Sequence, residues 1–309
     1  MHELFKRYDG NPILTPQDWP YPANAVLNPG AIRLSNETIL LVRVEDVHRC
    51  SHFTVARSAD GLTNWRIDPG PTVEPDTRSS EERHGLADPR IVWVVEQKTY
   101  FVTYTSYTND GCAVSLAITR NFKTFARLGV IAPPESKDAC IFPRRFKARF
   151  TLIYQSNVYG EIAIHVVFSP DLKHWGDHRP LIRKRPGHWD CHKVGLACPP
   201  IEIKKGWILF YYGVEYTSGG TVCRVGVALL DLDSPWRVLR RCNEWVFEPS
   251  ETYEHVGDVG GVVFPTGAVV NKEEDRLTLY YGAANSTVAV AEANFSDVIG
   301  YVLSCPEVK

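Results

Sequence analysis

The stretch WILFYYG, residues 207–213, is a run of aromatic and aliphatic residues closed by glycine, strand-sized and rich in strand-forming side chains. Runs of the same kind recur as ILLVRVE (39–45), YFVTYTS (100–106), FTLIYQS (150–156) and LTLYYGA (277–283), with centres 50 to 70 residues apart. After most of them comes a second strand that leads into a polar turn and an aromatic residue. The copies are FTVARSADGLTNW (53–65), VSLAITRNFKTF (114–125), IAIHVVFSPDLKHW (162–175) and VGVALLDLDSPW (225–236), with VAVAEANF (288–295) a weaker fifth. A small antiparallel sheet cannot bury both faces until neighbours stack on it, so self-similarity at this period marks a propeller or solenoid. Five units predict an all-β chain folded as one five-bladed β-propeller over residues 1–309. A two-sheet sandwich would leave the recurring turn unexplained. The five runs are read as inner strands around one axis, which makes the polar residues at their ends the site candidates.

Composition narrows the function classes. The 34 Lys and Arg against 36 Asp and Glu leave a formal charge of −2, which offers no net positive field for nucleic acid or an anionic bilayer. The densest apolar runs, 91–95 and 207–212, are far shorter than a spanning helix needs. Charged residues interrupt the first 16 positions where a secretory signal would be apolar, so a cytoplasmic protein with reduced cysteines is expected. Cys191, His192 and Cys198 lack a second half at zinc-site spacing, and no metal or organic cofactor is expected.

The charged loop 81–90, EERHGLADPR, runs straight into the apolar strand 91–95 and puts a carboxylate, Asp88, at a strand mouth. Pro89 restricts the Asp88 backbone, and Arg90 could hold a carboxylate or a sugar hydroxyl. Other polar groups fall where strands meet loops: Asn28, Arg43, Glu45, Lys137, Asp138, Gln155, Lys193, Glu202, Tyr212, Glu254 and Asn285. Amides and carboxylates beside the aromatics Tyr104, Trp189, Tyr211 and Tyr281 suit a carbohydrate, which offers C–H faces to stack and hydroxyls to bond.

In order along the chain, NPGAI (28–32), LLVRVE (40–45), HGLADPRI (84–91), KDACIFPRRF (137–146), WDCHKVGLACPPIE (189–202), GWILFYYGV (206–214), VVFPTGAVV (262–270) and YYGAA (280–284) resemble glycoside hydrolase family 130, the mannoside phosphorylases and mannosidases. That resemblance implies a five-bladed propeller and a small β-mannoside substrate. It assigns the catalytic acid to Asp88, delivering its proton through the mannose 3-hydroxyl. Phosphorylases of the family grip phosphate with basic residues, whereas its hydrolases activate water with a carboxylate.

Departures from the family pattern point to the hydrolase. Gln155, Glu202 and Tyr212 stand where phosphorylases tend to carry Arg, Lys and His. Two positive charges are lost and one negative charge is gained, which disfavours phosphate. The expectation is therefore an inverting hydrolase of β-1,2-linked manno-oligosaccharides, with Asp88 as acid and Glu202 as base for water. Arg43, Arg90, Asn28 and Asn285 would orient the glycone. Ala87 and Asn285, where the family usually has Glu and often Asp, leave the glycone open. The rivals are a phosphorylase using inorganic phosphate as co-substrate, its anion site rebuilt by Lys137, Lys193, Arg144 or Arg145, and a non-catalytic glycan-binding propeller.

Overall fold

The structure is a computed structural model and describes residues 4–132, 134–157 and 160–308. Five antiparallel sheets surround one axis as the blades of a β-propeller. The first blade runs outward as Ala25–Arg33, Thr38–Glu45, Ser51–Ser58 and Arg66–Ile67, and the second as Leu86–Val94, Thr99–Thr108, Gly111–Thr119 and Ala126–Val130. The third is Ser136–Ile141, Phe150–Ser156, Ala163–Ser169 and Gly176–Arg183. In the fourth, the innermost strand is split by Pro199 and Pro200 into Lys193–Leu196 and Ile201–Ile203, followed by Gly206–Thr217, Gly220–Leu230 and Val238–Arg241. The fifth is Val263–Asn271, Arg276–Ala283 and Thr287–Asn294, and its outer strand is Lys6–Arg7 from the other end of the chain.

The recurring runs of the sequence are the second strand of each blade, not the innermost as expected. Both faces of a second strand are buried against neighbouring blades, which selects the continuous Val, Leu and Tyr pattern. The innermost strands carry Pro, Gly and polar residues because they approach the axis, and that composition hid them.

The polar turn is the same device in four blades. Asp60, Asn121, Asp171 and Asp231 each accept two backbone N–H bonds from residues two and three positions on. The fifth copy is weak because the helix Phe295–Ser304 replaces the turn, packing Phe295, Val298 and Val302 inward, while the N-terminal strand completes the blade. Glu254 locks this closure. Fully buried, it accepts from Arg7 Nε at 2.8 Å and Nη2 at 2.9 Å, from Tyr281 Oη at 2.8 Å, and from the backbone of Ser250 and Glu251. Expected among the substrate-binding residues, the Glu254 carboxylate is instead engaged, among the described residues, by Arg7, Tyr281 and the backbone of Ser250 and Glu251. All eight cysteines carry free thiols.

Candidate active site

Three innermost strands break register at the same height. Two residues oppose one at Asn28-Pro29, Asp88-Pro89 and Asp138-Ala139, and the first of each pair has positive φ, at 45°, 53° and 50°. Asn and Asp tolerate this left-handed backbone better than other side chains with a Cβ, and such bulges re-aim a side chain out of the ladder. Here they turn an amide and two carboxylates toward one another at one end of the axis.

Asp88 Oδ1 accepts from Asn28 Nδ2 at 2.8 Å and from Arg43 Nη1 at 3.2 Å. Arg43 is steadied by Nε donation to Ser51 Oγ at 3.1 Å. Burial pushes the Asp88 carboxyl up, but the charges of Arg43, Arg90 and Lys137 and the Asn28 hydrogen bond outweigh it and hold it below the ordinary carboxylate range. Asp138 is buried in the next blade and accepts from Tyr212 Oη at 2.6 Å. Tyr212 reaches it by lying across Gly195, where any Cβ would collide with its ring. Gln155 Nε2 donates to Tyr212 Oη at 2.8 Å and to the Val194 carbonyl at 2.7 Å, so Gln155, Tyr212 and Asp138 form one buried uncharged-to-carboxylate chain.

Two ammonium groups face these carboxylates. Asp138 raises the Lys137 pKa against the cost of burial, with Asp88 adding to it. Burial first and the neighbouring Lys137 second lower that of Lys193, whose Nζ also sits 5.8 Å from the Tyr212 ring centroid. Two like charges held together beside the carboxylates suit an anion. Tyr107, half-buried on the second strand of blade two, feels Asp88, Arg43 and Lys137. Sequence reasoning missed it, since a hairpin-end tyrosine carries no pattern that separates it from strand packing.

Arg90, expected to orient the glycone, is committed to backbone carbonyls. It is buried, and its guanidinium donates to the carbonyls of Ala197 and Leu196 at 2.6 Å each and of Asp88 at 3.0 Å, with Asp138 Oδ1 3.5 Å away. It ties blade two to blade four beneath Asp88. Asn285 has positive φ in the tight turn after Arg276–Ala283, and Glu45 ends Thr38–Glu45; both are on the funnel side. Glu45 Oε1 accepts from Asn24 at 2.8 Å and Arg49 at 3.1 Å.

Glu202 is not part of this group, which corrects its assignment as general base. It pairs with Trp207 at the start of the second strand of blade four, whereas Tyr212 and Lys193 sit at that strand's other half. Five residues of strand separate Trp207 from Tyr212, about 16 Å. Glu202 is half-exposed at the far end, 3.4 Å from Arg144 Nη2. Arg144 is held there by the Leu232 carbonyl and the Trp207 ring, and Arg145 lies over Phe150, so neither reaches the funnel.

A family model described as beta-1,4-mannooligosaccharide phosphorylase matches residues 5–303. The chain belongs to glycoside hydrolase family 130. It is 32% identical to the beta-1,4-mannooligosaccharide phosphorylase of Ruminococcus albus, over 98% of this chain and 92% of that one. It is equally 32% identical to the 1,2-beta-oligomannan phosphorylase of a Thermoanaerobacter species, over 95% and 98%. The beta-1,2-mannobiose phosphorylase of Listeria innocua, solved with beta-1,2-mannobiose, superposes with a TM-score of 0.88 at 27% identity, over 98% and 99% of the two chains. This family 130 chain is thus an enzyme of β-mannosides. Within that frame, the geometry brings together Asn28, Arg43, Asp88, Lys137, Asp138, Gln155, Lys193 and Tyr212.

Proposed function

We propose that the protein is an inverting phosphorylase of small β-linked manno-oligosaccharides. The observation that carries this reading is the Lys137–Lys193 pair beside Asp88, on a floor to which Glu202 does not belong. Phosphate held by the two ammonium groups attacks the anomeric carbon, the glycosidic C–O bond breaks, and the leaving oxygen takes the proton of Asp88. The products are α-mannose 1-phosphate and a sugar one unit shorter. Arg43 and Asn28 hold the Asp88 carboxylate in place. Phosphate bound next to Asp88 offsets the field of Lys137 and raises the Asp88 affinity for the proton it must deliver.

The curated relatives support the same reading, because those named above are phosphorylases. Hydrolysis is the second reading, favoured by the closed Gln155–Tyr212 contact where the family tends to place Arg and His. Incubation with β-1,2- and β-1,4-mannobiose, with and without phosphate, separates the two. Mannose 1-phosphate formed only with phosphate supports phosphorolysis, and free mannose formed at a phosphate-independent rate overturns it.

A further inference from the structure

Beyond Lys193 the fourth blade carries an aromatic pair outside the machinery described above. His192 immediately precedes Lys193 at the mouth end of its strand, and Tyr216 follows Val214 on the neighbouring strand. Their ring centroids are 4.7 Å apart at 43°. The pair is rigidly framed. The His192 backbone N–H donates to the Val214 carbonyl at 3.2 Å, the Tyr216 backbone N–H donates to His192 Nδ1 at 3.2 Å, and Cys191 Sγ lies 3.1 Å from the same nitrogen. Yet Tyr216 remains 60% exposed, so the framing holds an aromatic face open to solvent rather than covering a core.

Position gives this face a use. Lys193 pairs with Val214 and Gly195 with Tyr212, so Tyr212, Val214 and Tyr216 alternate onto the same sheet face as Lys193. Tyr216 stands four residues from Tyr212, about 13 Å up the strand from the reaction floor. That height sets it apart from the reacting groups, on the side where sugar units beyond the cleaved bond would lie. An exposed, preorganised aromatic ring offers its face to the C–H side of a pyranose at little entropic cost.

We propose that Tyr216, braced by His192, is a stacking platform for a distal sugar of the oligosaccharide, so that the enzyme favours chains longer than a disaccharide. This rests on the proposed action on β-mannosides and adds a chain-length preference to it. The test compares kcat/KM for β-linked mannobiose and mannotetraose, in wild type and in Tyr216→Ala, Tyr216→Phe and His192→Ala, each checked for unchanged Tm. Binding of mannotetraose to the Asp88→Asn background, with and without Tyr216→Ala, is measured by calorimetry. The expected result is a gain from mannobiose to mannotetraose in wild type that falls roughly three- to tenfold in Tyr216→Ala, with mannobiose unchanged and Tyr216→Phe close to wild type. Calorimetry should show the same loss. An equal loss on both substrates, or none on mannotetraose, overturns the platform. Failure of wild type to act on either mannobiose or mannotetraose, with phosphate or without it, overturns the underlying reading instead, whatever Tyr216 does.

Discussion

Tyr212 donates its hydroxyl to Asp138 Oδ2 at 2.6 Å across the boundary between the fourth and third blades. Because both groups are buried, the bond cannot be replaced by water without rearrangement. Tyr212→Phe leaves the Asp138 carboxylate short of a donor and should destabilise the fold by about 1–3 kcal/mol. The loss is read as a lower midpoint in urea at unchanged m-value. An unchanged midpoint would mean that Arg90, 3.5 Å from the other oxygen, suffices to hold Asp138.

Asp88→Asn keeps the shape that Asn28 and Arg43 grip but removes the proton. Phosphorolysis should fall by about 10²–10⁴ with Tm little altered. Near wild-type turnover of an unactivated mannoside would show that the proton comes from elsewhere.

On the proposed phosphorylase reading, the depressed pKa of Asp88 sets opposite pH limbs for the two directions of the reaction. Phosphorolysis needs Asp88 protonated, and synthesis from mannose 1-phosphate needs it ionised to accept the acceptor hydroxyl proton. Asp88 in the free protein is held ionised by Arg43 and its neighbours against burial. The phosphorolytic rate should therefore decline with rising pH at a point where the synthetic rate still holds, giving synthesis the more alkaline optimum. Superimposable kcat profiles, taken at saturating substrates in the two directions, would remove Asp88 from this role.

Much of the fold was legible because the repeated signals are local. A second strand buried on both faces writes itself as Leu, Val and Tyr, and an Asx turn writes itself as Asp60 or Asp171 two residues after a serine. Asp88 was legible through its loop and its motif. The ends of the blades were not. Glu202 follows two prolines and reads like a strand-mouth carboxylate, but pairing with Trp207 puts it at the opposite end from Lys193. Glu254 likewise reads as a loop carboxylate, and only long-range closure with Arg7 reveals its partner. The bulges that aim Asn28, Asp88 and Asp138 depend on register against the next strand, which no single segment encodes.

Closure through Glu254 predicts a pH-dependent stability. Burial would raise its pKa, but Arg7, two backbone N–H groups and Tyr281 lower it below the ordinary value. A depressed folded pKa contributes stability above the unfolded value of about 4.3, and that contribution is lost as pH falls through the folded pKa. Glu254→Gln should therefore lower Tm clearly at pH 7, with the gap to wild type narrowing below about pH 4. A gap that stays constant down to acid pH would assign the loss to packing rather than charge.

The proposed anion site makes the last prediction and separates the two ends of the propeller. Lys137→Gln and Lys193→Gln should each raise the KM for phosphate by about tenfold or more while moving the KM for sugar less, since a charge-assisted contact is worth about 1.5–3 kcal/mol. Lys193 adds a pH signature. Burial and the Lys137 charge lower its pKa, so phosphate binding should weaken at a pH below the ordinary lysine value of about 10.4. That alkaline limb should vanish in Lys193→Gln. Arg144→Gln and Glu202→Gln, changed at the far end, should leave both KM values near wild type. Loss of turnover in Glu202→Gln with phosphate-independent release of mannose would return the base to Glu202 and the enzyme to hydrolysis.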